Sequence, residues 1–254
     1  MVPVASSWTL SASDARLGAG TLLLIAVAVA TCWVAGVTHR RAIVVASARA
    51  AAQLTVVAAA LRGVFAAPGA VVAVLAVMFG VATWTASRRL SAFPRAYPRV
   101  VLCCGAGAII AIGIVLGLPM LPRNVRTLVA VSGIVIGGCM TAATLTGRRL
   151  ADGMRQRRAE IEGWLALGAT PRAAVRDVGR WAMHDALIPA LDQTRTVGLV
   201  TLPGTFVGAL IGGAGAAGAA RFQLTVLVAL LCAQSVTAAA LIWVFGAPAV
   251  LPPE

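Results

Sequence analysis

Lysine is absent from this chain of 254 residues; all 21 basic residues are arginine. That excludes a phosphate-binding P-loop, whose lysine must reach the nucleotide phosphates. It also excludes a lysine Schiff base, and with it a retinal-binding protein of seven helices. Charge is scarce as well: only 11% of residues are charged, against about a quarter in a soluble domain. Histidine occurs twice, as His39 and His184, and Cys32, Cys103, Cys104, Cys139 and Cys232 all lie in apolar runs without a C-x-x-C spacing. A disulfide framework or a conventional zinc site is therefore not expected, and small buried thiols are. No nucleophile–base pair suggests catalysis by this chain.

What remains is apolar: 60% of the residues are hydrophobic and the mean hydropathy is +0.92. A bilayer crossing takes about 20 apolar residues as a helix. The pattern predicts an all-α polytopic membrane protein, one transmembrane domain over 1–254, with about seven transmembrane helices near 17–37, 42–61, 69–87, 100–118, 127–147, 196–213 and 223–246. Prolines punctuate the gaps. The sixth span is the least continuous, because Pro203 and several glycines interrupt it. The N-terminal stretch reads as the first span and not as a cleaved signal, because it lacks a basic leader and is span-length.

Orientation follows from the arginines. The side formed by the loops after the first, third and fifth spans holds 16 of them, counting Arg49 near the start of the second span, and the other side holds five. The arginine-rich side is expected to be cytoplasmic, with the N-terminus outside and the C-terminus inside. This placement between apolar segments also accounts for the net charge of +13 without a nucleic-acid partner.

The loop 148–195 carries six of the eight carboxylates. Within it, Ile161, Trp164, Leu165 and Gly168 recur at helical spacing, so one face is largely apolar. Gly168 suits the residue just past a helix C-terminus. Thr170 can cap a following helix whose first position is Pro171, where a missing N–H costs nothing. The expectation is a cytoplasmic helix-turn-helix coupling segment.

From Glu160 the chain runs EIEGWLALGATPRAAV, then ALIPALDQTRTVGLVTLPGTFVGALIGG. The LGATP turn (Leu167–Pro171), the ALIP-x-x-D stretch (Ala186–Asp192) and TVGLV-x-LPG (Thr196–Gly204), in this order, resemble the iron-export ABC permease family. Its members include the membrane subunits of bacterial Fet-type exporters and related plant aluminium-tolerance permeases. The resemblance extends through Arg49, Gln53 and the Arg88–Arg89 region and covers nearly the whole chain. It implies a permease homodimer in the plasma membrane, exporting a metal ion such as iron and driven by a separate ATPase subunit. ATP and Mg would sit on that partner, with no cofactor on this chain. Glu162 and Trp164 would dock the ATPase, with Gly168, Thr170 and Pro171 fixing the turn. Where the family commonly has two methionines after LPG, this chain has Thr205 and Phe206; where it commonly has asparagine in the fifth span, it has Gly138.

Candidate pathway residues are Arg49 and Gln53, which share a helix face, and Asp192, Thr201, Pro203, Gly204 and Thr205. Arg49 either lines the pathway or pairs with Asp192, or else its guanidinium reaches the headgroups. Pro203 frees a backbone carbonyl, for ligand binding or for a packing kink. Gly204, Gly208 and Gly212, four apart, suit close helix packing. A gradient-driven carrier and a non-transporting scaffold are the alternatives to an ABC permease.

Overall fold

A computed structural model describes residues 12–64, 68–248 and 251, with side chains placed except at 12–14 and 60–68. The extreme N-terminus, and the side chain of Arg62, one of the five arginines counted on the side opposite the arginine-rich one, lie outside the described residues. The chain divides into two compact units, residues 1–66 and 67–254.

The first unit is a pair of helices, α1 (Ala12–Val34) and α2 (Arg40–Val64). The link turns at Gly36, whose φ of 68° lies in the left-handed region. There the N–H of Gly36 bonds the carbonyl of Trp33, and that of Val37 the carbonyl of Cys32. This is the paired closure that satisfies the last carbonyls of a helix.

The second unit is built on four long helices: α3 (Pro68–Arg89), α4 (Ala96–Gly117), α5 (Val125–Gln156) and α10 (Ala216–Phe245). Local signals set their starts. Asn124 caps α5 by accepting the N–H of Thr127 at 2.8 Å, and Pro98 occupies the first turn of α4, where its missing N–H leaves no bond unmade. Lipid gives helices no hydrophobic reason to associate, so close approach through small residues has to hold them. The core is accordingly rich in Ala86, Ala108, Ala143, Ala233 and Cys139. A Cβ at Gly107 would overlap the Thr237 hydroxyl and come within 2.5 Å of the Ala233 carbonyl. There α4 lies almost backbone to backbone against α10.

Between α5 and α10 the chain forms α6 (Arg158–Ala166), α7 (Pro171–Ala174), α8 (Arg176–Thr196) and α9 (Gly204–Ile211). Six helices among the described residues are long and apolar enough to cross a membrane, namely α1 to α5 and α10. The segment expected as a span over 196–213 takes a different form: a turn at 197–201 and the eight-residue α9. It is completed by α8. One end of α8 meets α10 where Gly179 touches Ile242, and α9 meets it where Thr205 bonds Gln223. Those two points on α10 are 19 residues apart, about 28 Å along a helix, close to the thickness of the hydrocarbon core of about 30 Å. So α8, the turn and α9 together run the length of a crossing, in two pieces. The loop expected over 148–195 therefore includes a helix that lies lengthwise against α5 and α10.

Candidate functional site

The packed face of α8 is a stripe of small residues. Val178, Ala182, Ala186 and Ala190 repeat every fourth position and are buried. Val178 sits where a Cβ at Gly153 would be 2.6 Å away, and Ile242 likewise leaves only 2.8 Å at Gly179. The other face is polar and open: His184, Asp192, Gln193 and Arg195 are exposed. Asp192 pairs with Arg195 at 3.8 Å, and Asp185 lies 3.9 Å from Arg149. Pro189 interrupts α8, and with no N–H it leaves the Asp185 carbonyl without a helical partner.

At that proline a cavity of about 290 Å³ opens between α5, α8 and α10, lined by Gly137, Gly138, Thr141, Pro189, Gln193 and Gln234. Its polar groups are amides and a hydroxyl, all neutral. A second cavity, of about 190 Å³, lies beside the break, with Val197, Gly198, Pro203, Phe206 and Gln223 on its walls. The break itself is tightly organised. The Thr196 carbonyl accepts the N–H groups of Leu199 and Val200, Gly198 takes a φ of 81°, and its N–H bonds the Thr201 carbonyl at 2.9 Å.

Gln223 and Gln234 join the two cavities. They are 4% and 8% exposed and stand 11 residues apart, three turns of helix, so they share one face of an otherwise apolar α10. The expectation missed them. Their spacing within RFQLTVLVALLCAQS was the available signal, because two amides three turns apart in an apolar helix mark a polar face.

The expected coupling residues form a helix, a turn and a helix. Gly168 has φ 87°; its N–H bonds the Leu165 carbonyl, and the Ala169 N–H bonds that of Trp164. Thr170 caps α7 through the Ala173 N–H at 3.3 Å, with Pro171 at the first position. Of α6 only Ile161 is buried. Trp164 is 52% and Leu167 82% exposed, and Glu162 is held by Arg158 at 2.9 Å. One further residue, Arg172, ties the turn to α10: its guanidinium bonds the Trp243 carbonyl at 3.0 Å and lies over the indole, 4.8 Å from the ring centre.

The other expected residues are placed as follows. Arg49 and Gln53 are exposed on α2 of the first unit, Thr201 is exposed in the break, and Pro203 and Gly204 open α9. Thr205 donates to Gln223. Gly204 and Gly208 would meet nothing within 4 Å if given a Cβ, and Gly212 only its own helix. The close approaches are made by Gly107, Gly138, Gly147, Gly153 and Gly179 instead. No group of three or more His, Cys, Asp or Glu that could hold a metal occurs among the described residues.

Apolar helices of crossing length, a discontinuous element beside them and a polar seam between the two define a multi-pass helical membrane protein. The chain belongs to the UPF0014 family, an uncharacterised protein family whose model matches residues 17–248. The UPF0014 membrane protein STAR2 of rice is 34% identical over 194 residues, 76% of this chain and 68% of the rice protein. Protein ALUMINUM SENSITIVE 3 of Arabidopsis thaliana is 30% identical over 230 residues, 89% and 84% of the two chains. The Escherichia coli protein named probable iron export permease protein FetB is 31% identical over 194 residues, 74% of each chain. The relationship expected from the LGATP, ALIP and LPG motifs is thus the one found. No solved structure matches the chain.

Proposed function

We propose that this chain is the transmembrane permease subunit of an ABC transporter that exports iron or a related metal ion, with ATP and Mg bound by a separate ATPase subunit. The observation that carries the reading is the arm at 158–174. An amphipathic helix of nine residues leaves Trp164 and Leu167 uncovered. It ends in a turn fixed by Gly168 and Thr170 and is latched to α10 by Arg172. An exposed aromatic anchor on a rigid short helix is what a docking partner needs. The metal cargo is taken from the name of the E. coli relative.

In this reading the arginine-rich side is cytoplasmic and the N-terminus is outside. Closure of the ATPase pair moves α6. That displacement passes along α8, which continues from α7 almost directly, to the break at 197–203. A shift there re-forms the two cavities along Gln234 and Gln223, changing the side from which they open. Gly138, Thr205 and Phe206, the three departures from the family pattern, all contribute to these cavities or to the Thr205–Gln223 bond, so cargo preference is set there. A charged pair facing lipid is costly, at about 2.5–3.5 kcal/mol per ionised side chain on insertion scales. The open Asp192–Arg195 face of α8 and the uncovered Gly204 and Gly208 therefore suit contact with a second permease copy. Substrate occupancy and ATP turnover are then coupled in both directions.

The deciding experiment is detergent purification of the tagged chain from its native membrane, with mass spectrometry of what accompanies it. A stoichiometric ATPase, lost when Glu162 and Trp164 are changed, supports the proposal. A well-folded chain that repeatedly emerges alone, and moves solute on an ion gradient without ATP, overturns it.

A further inference from the structure

The link between α3 and α4 is pulled against α5. Leu90 packs into the space left by Gly147, where a Cβ would overlap its side chain. Phe93 stacks on Phe245 with ring centres 4.8 Å apart. These two anchors hold the backbone at 89–93 beside the start of the polar extension of α5 and border an open cavity of about 360 Å³, to which Arg89, Ser91, Arg148, Asp152 and Arg155 contribute. Three arginines thus line the cavity beside one carboxylate. Arg155 neutralises that carboxylate at 3.1 Å, so Asp152 is already satisfied.

The arginines next door are engaged elsewhere. Arg88 lies over the Trp84 ring at 5.9 Å, Arg99 over Phe245 at 5.5 Å, and Arg149 near Asp185. Arg89 and Arg148 make no ion pair or ring contact among the described residues. Two arginines that line one small cavity with a hydroxyl have thus kept their donors free. Planar guanidiniums of this kind match the oxygens of a phosphate.

Depth points to the source of that phosphate. Trp84 and Tyr97 form an edge-to-face pair, 5.8 Å between centres and both exposed, at the end of α3 and the start of α4. Exposed Trp and Tyr gather at the headgroup level of a bilayer. Basic pockets between membrane helices take anionic headgroups. We infer that the Arg89–Arg148 cavity is a binding site for an anionic phosphate group, supplied by a phospholipid headgroup of the adjoining leaflet. The site needs neither an ATPase partner nor a transported ion.

The test uses the purified full chain in neutral detergent, with thermal unfolding and native mass spectrometry as readouts. Phosphatidylglycerol is the lipid probe, phosphatidylcholine the zwitterionic control and inorganic phosphate the soluble probe. The expected result is a rise in the unfolding midpoint of several degrees with phosphatidylglycerol, with retained lipid adducts. The apparent affinity should fall about tenfold in R89Q/R148Q and only partly in R89K/R148K. R40Q/R41Q, an arginine pair on α2, should bind as the native chain does. If inorganic phosphate binds through the same two arginines and phosphatidylglycerol does not, the lipid source is overturned and a soluble phosphate takes its place. Equal response to phosphatidylcholine, or an unchanged response in R89Q/R148Q, overturns the site. Should the double variant fail to elute as a single species, R148Q alone gives the same decision.

Discussion

The seam where α4 meets α10 and the seam where α8 and α9 meet α10 use the same helix in opposite ways. Along the first, α10 presents Ala233 and Thr237 to Gly107, and nothing larger than a hydrogen fits at the glycine. Along the second it presents Gln234 and Gln223 to a helix broken by Pro189 and by a turn at 197–201, with space left over. A helix locked on one side and loosely lined on the other separates the part of the molecule that must not move from the part that can. Interiors packed to crystal density change by discrete steps and do not stretch. Motion is therefore expected where the packing is already open.

The largest effect is expected from overfilling the closed seam. Gly107→Val places two methyl groups against a backbone carbonyl, and overpacking of this kind costs roughly 1–3 kcal/mol or more. The expected outcome is loss of monodisperse protein in detergent chromatography; a native elution profile would show that the seam can yield. Next comes Gly168→Val, which forces a β-branched residue into a left-handed turn at a cost of about 1–2 kcal/mol. The protein should still insert, but ATP hydrolysis by the assembled complex should no longer drive export, with flux down at least tenfold. Export at the native rate removes the arm as the coupling element.

Smaller effects test the open seam. Gln234→Leu should leave unfolding nearly unchanged, because the amide has no side-chain hydrogen bond to lose among the described residues, while flux falls severalfold; equal flux in Q234L and native protein takes the cavity out of the pathway. Arg172→Ala removes one bond and one ring contact with Trp243, and the contact with the ring alone is worth about 0.5–2 kcal/mol. Flux per ATP hydrolysed should drop about twofold. The smallest effect on the isolated chain belongs to Gly208→Leu, where an added side chain meets nothing. Its unfolding midpoint should stay put while any permease dimer, seen by cross-linking, is lost.

The closed half of the comparison was legible in the sequence and the open half was not, for reasons particular to each. The spans that became α3, α4, α5 and α10 are long and predominantly apolar, so a running hydropathy finds them. The turn at Gly168, Thr170 and Pro171 was legible because each residue acts through its own backbone. α8 was expected as a helix of the cytoplasmic loop and not as a partner of the long apolar helices, because RDVGRWAMHDALIPALDQTRT averages its arginines and aspartates with the stripe at Val178, Ala182, Ala186 and Ala190. An average over a helix cannot report one buried face. The glycines show the opposite error: a repeat at Gly204, Gly208 and Gly212 signals that close approach is permitted, whereas which helix lies opposite is a tertiary fact. Gly107, in no such repeat, is where the backbones meet.

The glutamine face of α10 also has an electrical consequence. Gln223 and Gln234, with Thr141, Gln193 and Thr205 opposite, offer oxygens and N–H groups but no fixed counter-charge. A divalent cation leaving along such a seam carries its full charge outward against the membrane voltage. That costs about 4.6 kcal/mol for every 100 mV, at about 2.3 kcal/mol per elementary charge. If the proposed export of a metal ion runs along this seam it is electrogenic, and its rate should slow as the cell interior becomes more negative.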